Sequence, residues 1–356
     1  MRIVYVIGTR PNFVKTAPVI AALRKRLPEG RHSIVHTGQH YDRAMSEVFF
    51  EELGVPVPDH MLEVGSGSHA EQTARIMERL EPVLVEEQPD LVMAPGDVNS
   101  TLAAVLTAVK MHIPVAHIES GLRSFDRTMP EEINRIVADE FSEYLFLHSD
   151  EAIENLRAEG IGDERMHFVG NTMIDTLVAL EDRFRAAGSA AKVGVEPGRY
   201  MLVTLHRPAL VDGDLLPETV QRMAELAREI PVVFPVHPRT RKKMEEISAE
   251  HPGLLLSEPL GYVDFLSLIA DAGAVLTDSG GIQEETTYLG IPCFTLRDNT
   301  ERPVTLTSGT NTLLGLDPAA IGRIPVLLGE RGPAPAQPPP LWDGRASERI
   351  AEVILS

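Results

Sequence analysis

The chain has 356 residues, of which 43% are hydrophobic and 24% charged; this is close to the globular average and excludes a disordered, coiled-coil or collagen-like chain. At roughly 150 residues per domain, the length predicts two domains. The net charge of −19 argues against nonspecific nucleic-acid binding, so an anionic ligand would need a local group of Arg, Lys or His side chains.

The cysteine content and the hydropathy of the sequence indicate the cellular compartment of the protein. Cys293 is the single cysteine, which excludes an intrachain disulfide and a cysteine-based metal cluster and is typical of a reducing cytoplasm. The sequence has no run of about 18 apolar residues and no secretory signal pattern at its start. We therefore expect a cytoplasmic protein without membrane insertion.

Short β-branched runs alternate with longer amphipathic stretches along almost the whole chain. The short runs predict strands at 2–7, 33–37, 91–94, 114–117, 144–147 and 167–169, then at 200–204, 232–235, 254–256, 274–277 and 293–296. Helical patterns lie between them, for example at 99–111, 130–142, 149–159, 216–229 and 263–270. This alternation favours right-handed crossovers, and therefore parallel sheets with helices on both faces.

The composition shifts at 186–199, just before the second set of strands. We therefore predict two doubly wound α/β domains, an N-terminal one at 1–170 and a C-terminal one at 171–331. Residues 332–340 (GPAPAQPPP) predict a stiff, extended linker. The amphipathic segment 341–356 is expected to be a helix that packs on one of the domains. Because ligands of parallel sheets bind beyond the carboxyl ends of the strands, polar clusters after strands are the candidate sites.

The first such cluster, GTRPNFVK, follows the first strand and opens a helix. Gly8 permits a tight turn, the helix start favours an anion, and Arg10 and Lys15 add positive charge. The cluster matches neither a GxGxxG nor a Walker A loop. An ordinary strand-to-helix turn with solvated cations explains it equally well.

Three acids follow in the first half of the chain. Asp97 and Glu119 come after successive predicted strands, and Glu131 follows Pro130 at a helix start. Carboxylates gathered at one sheet edge suit proton transfer, because repulsion and desolvation separate their pKa values. Taken singly, a turn residue and a helix-start acid are the ordinary explanations for Asp97 and Glu131.

The second half contains a similar cluster, DSGGIQEE. Ser279, Gly280 and Gly281 are expected to present backbone N–H groups to a diphosphate at a helix start. Glu285 lies one turn further on, where a carboxylate accepts ribose hydroxyls. A capping box with Ser279 at its head is the alternative, although capping does not require two glycines.

Two histidines and one arginine complete the candidates. His206 and His237 each end a predicted strand, where an imidazole donates to a phosphate or a sugar hydroxyl. Arg302, in RDNTERP, is a further phosphate contact or an exposed salt bridge. A hydrogen-bonded structural role fits His237 better.

In chain order, these motifs resemble those of the non-hydrolysing UDP-N-acetylglucosamine 2-epimerases. The match includes GTRP-x-x-x-K, HTGQH, PGD-x-x-ST, HIESGLRS, PEEINR, VTLHR, FPVHPRT, LTDSGGIQEE and RDNTERP, and it covers nearly the whole chain. The resemblance implies two Rossmann-like domains of the glycosyltransferase-B type with the active site in the interdomain cleft. It also implies that the C-terminal helix 341–356 returns to the N-terminal domain.

The resemblance assigns roles residue by residue. Catalytic acid–base roles fall to Asp97, Glu119 and Glu131, with His206 beside the departing diphosphate. Groups that bind the UDP part of the substrate are Arg10, Lys15, Phe265, Ser279, Gly280, Gly281, Glu285 and Arg302. Phe265 matches a position near the uracil, and a core aromatic is the equally good alternative.

The implied reaction inverts carbon 2 of UDP-N-acetylglucosamine and gives UDP-N-acetylmannosamine, a precursor for surface polysaccharide. UDP is eliminated to leave a 2-acetamidoglucal and is then added back, so no cofactor and no metal are expected. A homodimer is expected as well. Alternatives are the same epimerisation of a modified sugar such as a UDP-2,3-diacetamido uronic acid, a hydrolysing epimerase, and a UDP-sugar glycosyltransferase.

The chain departs from the family pattern in places. Asn12 stands where many members have glutamate, and Val98 where threonine is usual. Tyr41 stands where many bacterial members have the arginine of a Gln-His-Arg segment that binds a second substrate molecule. We therefore expect little activation by such a molecule.

Overall fold

The computed structural model describes residues 1–38, 50–211, 213–236, 238–244, 247, 251–332 and 337–356. The chain divides into two compact units. The first unit consists of Met1–Val178 and Pro340–Ser356, and the second of Ala179–Pro339. None of the helices in the described ranges has the length and apolar character that a membrane span requires.

The first unit is built on a parallel sheet with the strand order β3-β2-β1-β4-β5-β6-β7. Its strands are β1 (Arg2–Ile7), β2 (Arg31–His36), β3 (His60–Met61), β4 (Leu91–Pro95), β5 (Val115–Ile118), β6 (Tyr144–Leu147) and β7 (Met166–Phe168). The chain turns outward in both directions from β1 and β4, which makes the crevice beyond their carboxyl ends a topological switch point.

The second unit repeats this plan with the strand order β10-β9-β8-β11-β12-β13. Its strands are β8 (Met201–Thr204), β9 (Val232–Pro235), β10 (Leu254–Ser257), β11 (Ala274–Thr277), β12 (Cys293–Thr295) and β13 (Asn311–Leu313). The switch point of this sheet lies between β8 and β11. The prediction of two doubly wound parallel sheets is confirmed.

Helices flank both sheets. Within the described ranges they are α1 (Arg10–Arg26), α2 (His69–Glu87), α3 (Asn99–Lys110), α4 (Pro130–Phe141), α5 (Asp150–Ala158), α6 (Thr172–Ala179), α7 (Glu181–Ala187), α8 (Ser189–Lys192), α9 (Pro208–Val211), α10 (Leu216–Leu226), α11 (Pro238–Met244), α12 (Tyr262–Ala270), α13 (Gly280–Leu289), α14 (Val304–Thr307), α15 (Ile324–Glu330) and α16 (Ala346–Leu355). Short 3₁₀ turns occupy Asp163–Arg165 and Pro318–Arg323. Most of the strands are buried on both faces, which explains why they read as continuous apolar runs, whereas the edge strands β3, β7 and β10 are largely half-buried.

Helix α6 joins the C-terminal segment to the first unit. The Asp175 carboxylate accepts hydrogen bonds from the backbone N–H groups of Ala346 (3.0 Å) and Ser347 (2.7 Å), and so caps α16. Thr176 Oγ1 donates to the carbonyl of Val14 on α1 at 2.6 Å. These bonds explain why the unit boundary lies after Val178 and not at residue 170, before the helix begins.

Candidate active site

At the first switch point, α1 begins with a reciprocal capping arrangement. Asn12 Oδ1 accepts from the Thr9 backbone N–H (3.1 Å) and from Thr9 Oγ1 (2.8 Å). Asn12 Nδ2 donates to the carbonyl of Pro95, at the end of β4, at 3.0 Å. Asn12 therefore fixes the start of α1 against β4. Arg10, the first residue of this helix, is exposed.

Lys15, in the second turn of α1, forms a buried ion pair with Glu119. The Lys15 Nζ contacts the Glu119 carboxylate, and both side chains are buried. Glu119 follows β5 and has a left-handed backbone (φ +69°), while its N–H donates to the Phe146 carbonyl at 3.1 Å. Gly96, with φ +69°, leaves room for the pair, since a Cβ there would stand 3.3 Å from Lys15 Nζ. Lys15 thus supplies the charge that stabilises an ionised Glu119.

Asp97 is held from the other side by an arginine of α4. Arg135 Nη1 lies 2.5 Å from Asp97 Oδ2, and Arg135 Nη2 lies 2.8 Å from Glu132 Oε2. Arg135 and Glu132 are buried, whereas about a quarter (27%) of the Asp97 side chain is exposed. Asn134 also donates to the Asp97 carbonyl at 2.8 Å. Glu131 is half-buried in the first turn of α4, beside this network.

A second buried network supports the turn at Gly96. His117 Nε2 lies 2.7 Å from the Gly96 carbonyl, and His117 Nδ1 lies 2.7 Å from Asp139 Oδ1. Asp139 also accepts from Arg123 Nη1 at 2.7 Å. Burial raises the pKa of Asp139, but the bonds from His117 and Arg123 outweigh it and hold the pKa below its usual range.

Sequence reasoning did not assign roles to these supporting residues. Glu132 and Arg135 are part of the PEEINR motif, and His117 opens HIESGLRS, but the motifs alone do not show which side chains pair. The periodicity of α4 offered one signal, because Arg135 lies one turn after Glu131 and Glu132.

At the second switch point, Asp278 and His206 follow the adjacent strands β11 and β8. Asp278 Oδ1 lies 2.8 Å from His206 Nδ1, and Asp278 Oδ2 accepts from the N–H groups of His206 (2.9 Å) and Arg207 (2.8 Å). Burial raises the pKa of Asp278, but these hydrogen bonds prevail and keep it below its usual range. The His206 side chain is 62% exposed.

Ser279, Gly280 and Gly281 begin α13. Within residues 274–289, all of which the structure describes, the Ser279 side chain makes no capping hydrogen bond and the first turn carries no acid. Arg302 lies against this helix start, since a Cβ on Gly280 would stand 2.7 Å from Arg302 Cζ. Arg302 Nε donates to Glu284 Oε1 at 2.9 Å. The helix start therefore combines backbone N–H groups with a guanidinium, as anion sites do.

Glu285 is buried deeper in α13. Its Oε1 accepts from the Tyr262 hydroxyl at 2.7 Å, and among the described residues its buried Oε2 has no hydrogen-bond partner. Burial raises the pKa of Glu285 to about 7, although the Tyr262 hydrogen bond opposes this. Phe265, one turn along α12 from Tyr262, is half-buried.

Three sequence predictions concern segments without a full structural description. His237, the stretch 39–43 with Tyr41, and residues 333–336 of the predicted linker 332–340 lie outside the described residues.

The chain is similar to known proteins along its whole length. The family model for UDP-N-acetylglucosamine 2-epimerase matches residues 22–355. The UDP-N-acetylglucosamine 2-epimerases of Methanocaldococcus jannaschii and Escherichia coli are 40% and 36% identical, over 99% of this chain and 99% and 98% of theirs. The UDP-2,3-diacetamido-2,3-dideoxy-D-glucuronate 2-epimerase of Pseudomonas aeruginosa is 42% identical, over 88% of each chain.

Solved structures agree with this similarity. The M. jannaschii UDP-GlcNAc 2-epimerase, solved in complex with UDP-GlcNAc and UDP, is similar with a TM-score of 0.89 and 38% identity, over 100% of this chain and 99% of the other. The Neisseria meningitidis UDP-GlcNAc 2-epimerase, bound to UDP-GlcNAc, has a TM-score of 0.90 and 30% identity over 100% of both chains. The chain therefore belongs to the family of UDP-N-acetylglucosamine 2-epimerases and is an isomerase.

Proposed function

We propose that this protein interconverts UDP-N-acetylglucosamine and UDP-N-acetylmannosamine by elimination and re-addition of UDP. A carboxylate removes the proton from carbon 2, the C1–O bond breaks, and UDP leaves with the electron pair as the C1–C2 double bond forms. Addition of UDP to this 2-acetamidoglucal, with a proton delivered to the other face of carbon 2, completes the inversion. The observation that carries the proposal is the pair of acids, Asp97 and Glu119, at one switch point, each with its own cation.

The remaining groups of the site divide between phosphate, ribose and uracil. Arg10, Lys15 and His206 are proposed to stabilise the departing diphosphate, together with the cradle at Ser279, Gly280 and Gly281. Arg302 provides a further UDP contact. Glu285 Oε2 has no hydrogen-bond partner among the described residues, which supports a ribose hydroxyl as its donor, and Phe265 is proposed to lie near the uracil. The expected cleft between the domains stays a prediction.

Proton NMR in heavy water tests the reaction. With UDP-N-acetylglucosamine alone, we expect UDP-N-acetylmannosamine with deuterium at carbon 2, without added NAD or metal. Free N-acetylmannosamine that accumulates in step with UDP would identify a hydrolysing epimerase instead. Consumption of UDP-N-acetylglucosamine only when an acceptor is added would identify a glycosyltransferase.

A modified sugar is the second candidate substrate. It is favoured by the P. aeruginosa relative, whose name specifies UDP-2,3-diacetamido-2,3-dideoxy-D-glucuronate. Competition between the two UDP sugars in one tube decides between them, because the ratio of the two initial rates equals the ratio of kcat/KM at equal concentrations. A ratio above one for UDP-N-acetylglucosamine supports the primary proposal.

The proposed setting is a cytoplasmic homodimer that supplies precursor for surface polysaccharide. Sedimentation velocity of the full chain, with and without UDP, tests the dimer. Deletion of the gene followed by analysis of the surface sugars tests the biosynthetic role.

A further inference from the structure

We propose that Asp278 is the positioning residue of His206, fixing the imidazole with Nδ1–H inward and Nε2 outward. The inference rests on the proposed role of His206 beside the diphosphate. Asp278 itself contacts no phosphate in this scheme; it acts through the ring.

The contacts to the Asp278 carboxylate fix the orientation of this side chain. Its Oδ2 accepts two backbone N–H groups, those of His206 and Arg207, so this oxygen is fixed to the loop after β8. Its Oδ1 is buried and, among the described residues, accepts no hydrogen bond of regular geometry, while His206 Nδ1 lies 2.8 Å away as an ion-pair contact and is therefore the donor within reach. The Arg207 guanidinium points to a different acceptor, because its Nε donates to the Asp278 backbone carbonyl at 3.2 Å.

Asp278 and His206 differ in solvent exposure, so the carboxylate is the inner residue of the pair and the imidazole the outer one. Asp278 is completely buried, whereas the His206 side chain is 62% exposed. An ionised carboxylate carries no proton, so the nitrogen that faces it must be the donor. Nδ1 is therefore the protonated nitrogen of the neutral ring, and Nε2 is the atom presented to a ligand.

This arrangement gives His206 two useful states at Nε2. The neutral ring offers a lone pair there, and the imidazolium offers an N–H and a positive charge while Asp278 still holds Nδ1–H. A leaving diphosphate is bound best by the second state, because its hydrogen bond is charge-assisted. The dyad lies between the central strands β8 and β11, at the crevice where ligands of such sheets bind.

Asp278→Asn tests the claim by reversing the ring's tautomer. The N–H groups of His206 and Arg207 still require an acceptor, so the asparagine oxygen takes the place of Oδ2. Its NH₂ group then faces Nδ1, which must accept, and the proton of the neutral ring moves to Nε2. We expect long-range ¹H–¹⁵N correlation spectra of the ¹⁵N-histidine-labelled chain to show Nδ1–H in the wild type and Nε2–H in Asp278→Asn. His206→Gln identifies the His206 signals.

Kinetics supply a second, independent readout. Asp278→Asn and His206→Gln are each expected to lower kcat by about 10- to 100-fold, and the double variant to be no slower than His206→Gln alone. Asp317→Asn is the control, since Asp317 also accepts a backbone N–H (from Ala319, 2.9 Å) but makes no hydrogen bond or ion pair with a histidine within the described part of the chain. This control is expected to keep wild-type kcat.

Several results would overturn the inference. An Nε2–H tautomer in the free wild-type protein would do so even if Asp278→Asn failed to fold. Losses that multiply in the double variant would show that Asp278 acts independently of His206. The tautomer is measured without substrate, so it decides the role of Asp278 even for a chain that does not epimerise either UDP sugar.

Discussion

Glu119 is a buried acid whose backbone has a left-handed conformation, φ +69°. For a residue other than glycine, this conformation is strained, with a cost of about 1 kcal/mol or more. The strain persists because the Phe146 carbonyl and the Lys15 ammonium hold both ends of the residue. Its position at a strand end, beside Gly96, is the kind of place where such strain serves chemistry.

The three proposed acid–base residues make the first prediction. We expect Asp97→Asn, Glu119→Gln and Glu131→Gln each to lower turnover by at least about 100-fold, because a proton donor or acceptor is lost. UDP affinity, measured by calorimetry, should change far less in these variants than in Arg10→Ala or Arg302→Ala. Glu140→Gln changes an exposed acid of the same helix α4 and should keep full activity. Full activity in the three carboxylate variants would refute the assignment.

The second prediction concerns the stability effect of the left-handed backbone at Phe125. It also has a left-handed backbone (φ +59°), but its side chain is 79% exposed and buries little apolar surface. Its N–H donates to Glu132 Oε1 at 2.9 Å, which holds the loop in place. Phe125→Gly should therefore raise the free energy of unfolding by about 0.5–1 kcal/mol, since glycine adopts this conformation without strain. Urea denaturation measures the change, and Phe125→Ala, which keeps a Cβ, should show no gain.

The raised pKa of Glu285 makes a third prediction. The unfolded chain releases this proton near pH 4.5, and the folded chain near pH 7. The folded state therefore binds more protons between these values, and its free energy of unfolding falls as the pH rises through this window. Each pKa unit corresponds to about 1.4 kcal/mol, so the whole loss is roughly 3 kcal/mol.

Glu285→Gln isolates this contribution from every other titrating group. Urea denaturation from pH 4.5 to 8 should show the wild type losing stability relative to Glu285→Gln up to pH 7 and no further change above it. Uridine affinity of the wild type should rise over the same range, because the ionised carboxylate is the better acceptor of ribose hydroxyls. Parallel stability curves for the two proteins would show that Glu285 titrates normally.

At the scale of elements, the sequence predicted the strands well and the smallest elements poorly. Continuous apolar runs located eleven predicted strands to within two residues of strands in the structure, because strands buried on both faces carry this signal. The edge strands β3 (His60–Met61) and β13 (Asn311–Leu313) were missed. Each of these strands has only two or three residues, some of them polar, and so contains no continuous apolar run. Pairing with a neighbouring strand is what makes these residues a strand.

The sequence motifs predicted where the candidate residues lie relative to the strands, but not which side chains pair. Motif position placed Asp97 and Glu119 after adjacent strands, as the structure has them. That Arg135, and not Lys15, pairs with Asp97 depends on the rotation of α4, which the sequence pattern does not fix to within one residue. The hydrogen bond between His206 and Asp278 joins residues that are 72 positions apart in the sequence. They meet because β8 and β11 are neighbours in the sheet, so this contact could be predicted only from the strand order.

The start of α13 makes the fourth prediction. Gly280→Ala places a methyl group against the Arg302 guanidinium, which Glu284 holds at 2.9 Å and which cannot shift without losing that bond. We expect UDP affinity to fall about 10-fold, the cost of one charge-assisted phosphate contact. Gly322→Ala, in an open part of the same unit, is the matched control. Equal Kd values for both variants in calorimetry would remove Arg302 and Gly280 from the UDP site.

At the scale of the whole molecule, the first unit is discontinuous, because its last part, Pro340–Ser356, follows the entire second unit in the chain. Trp342 anchors this part: it is 1% exposed, and its Nε1 donates to the His148 carbonyl at 2.8 Å. Gly344 follows with φ +76°, where any Cβ would stand 3.1 Å from Val178. The packing around α6 in the first unit therefore depends on the segment Pro340–Ser356.

Trp342→Ala should destabilise the first unit by about 3–5 kcal/mol, the usual cost of truncating a large buried aromatic residue. The loss should be local, since the residues that Trp342 is seen to contact belong to the first unit.

Hydrogen exchange followed by mass spectrometry is the measurement: peptides from β6, α6 and α16 should exchange faster, and peptides from β8 and β11 at the wild-type rate. Leu355→Ala is the matched control, because Leu355 belongs to the same C-terminal segment, at the end of α16, but is 37% exposed. Faster exchange confined to the second unit, or none anywhere, would show that the C-terminal segment does not stabilise the first unit. Faster exchange in both units together would show instead that the two unfold as one cooperative structure.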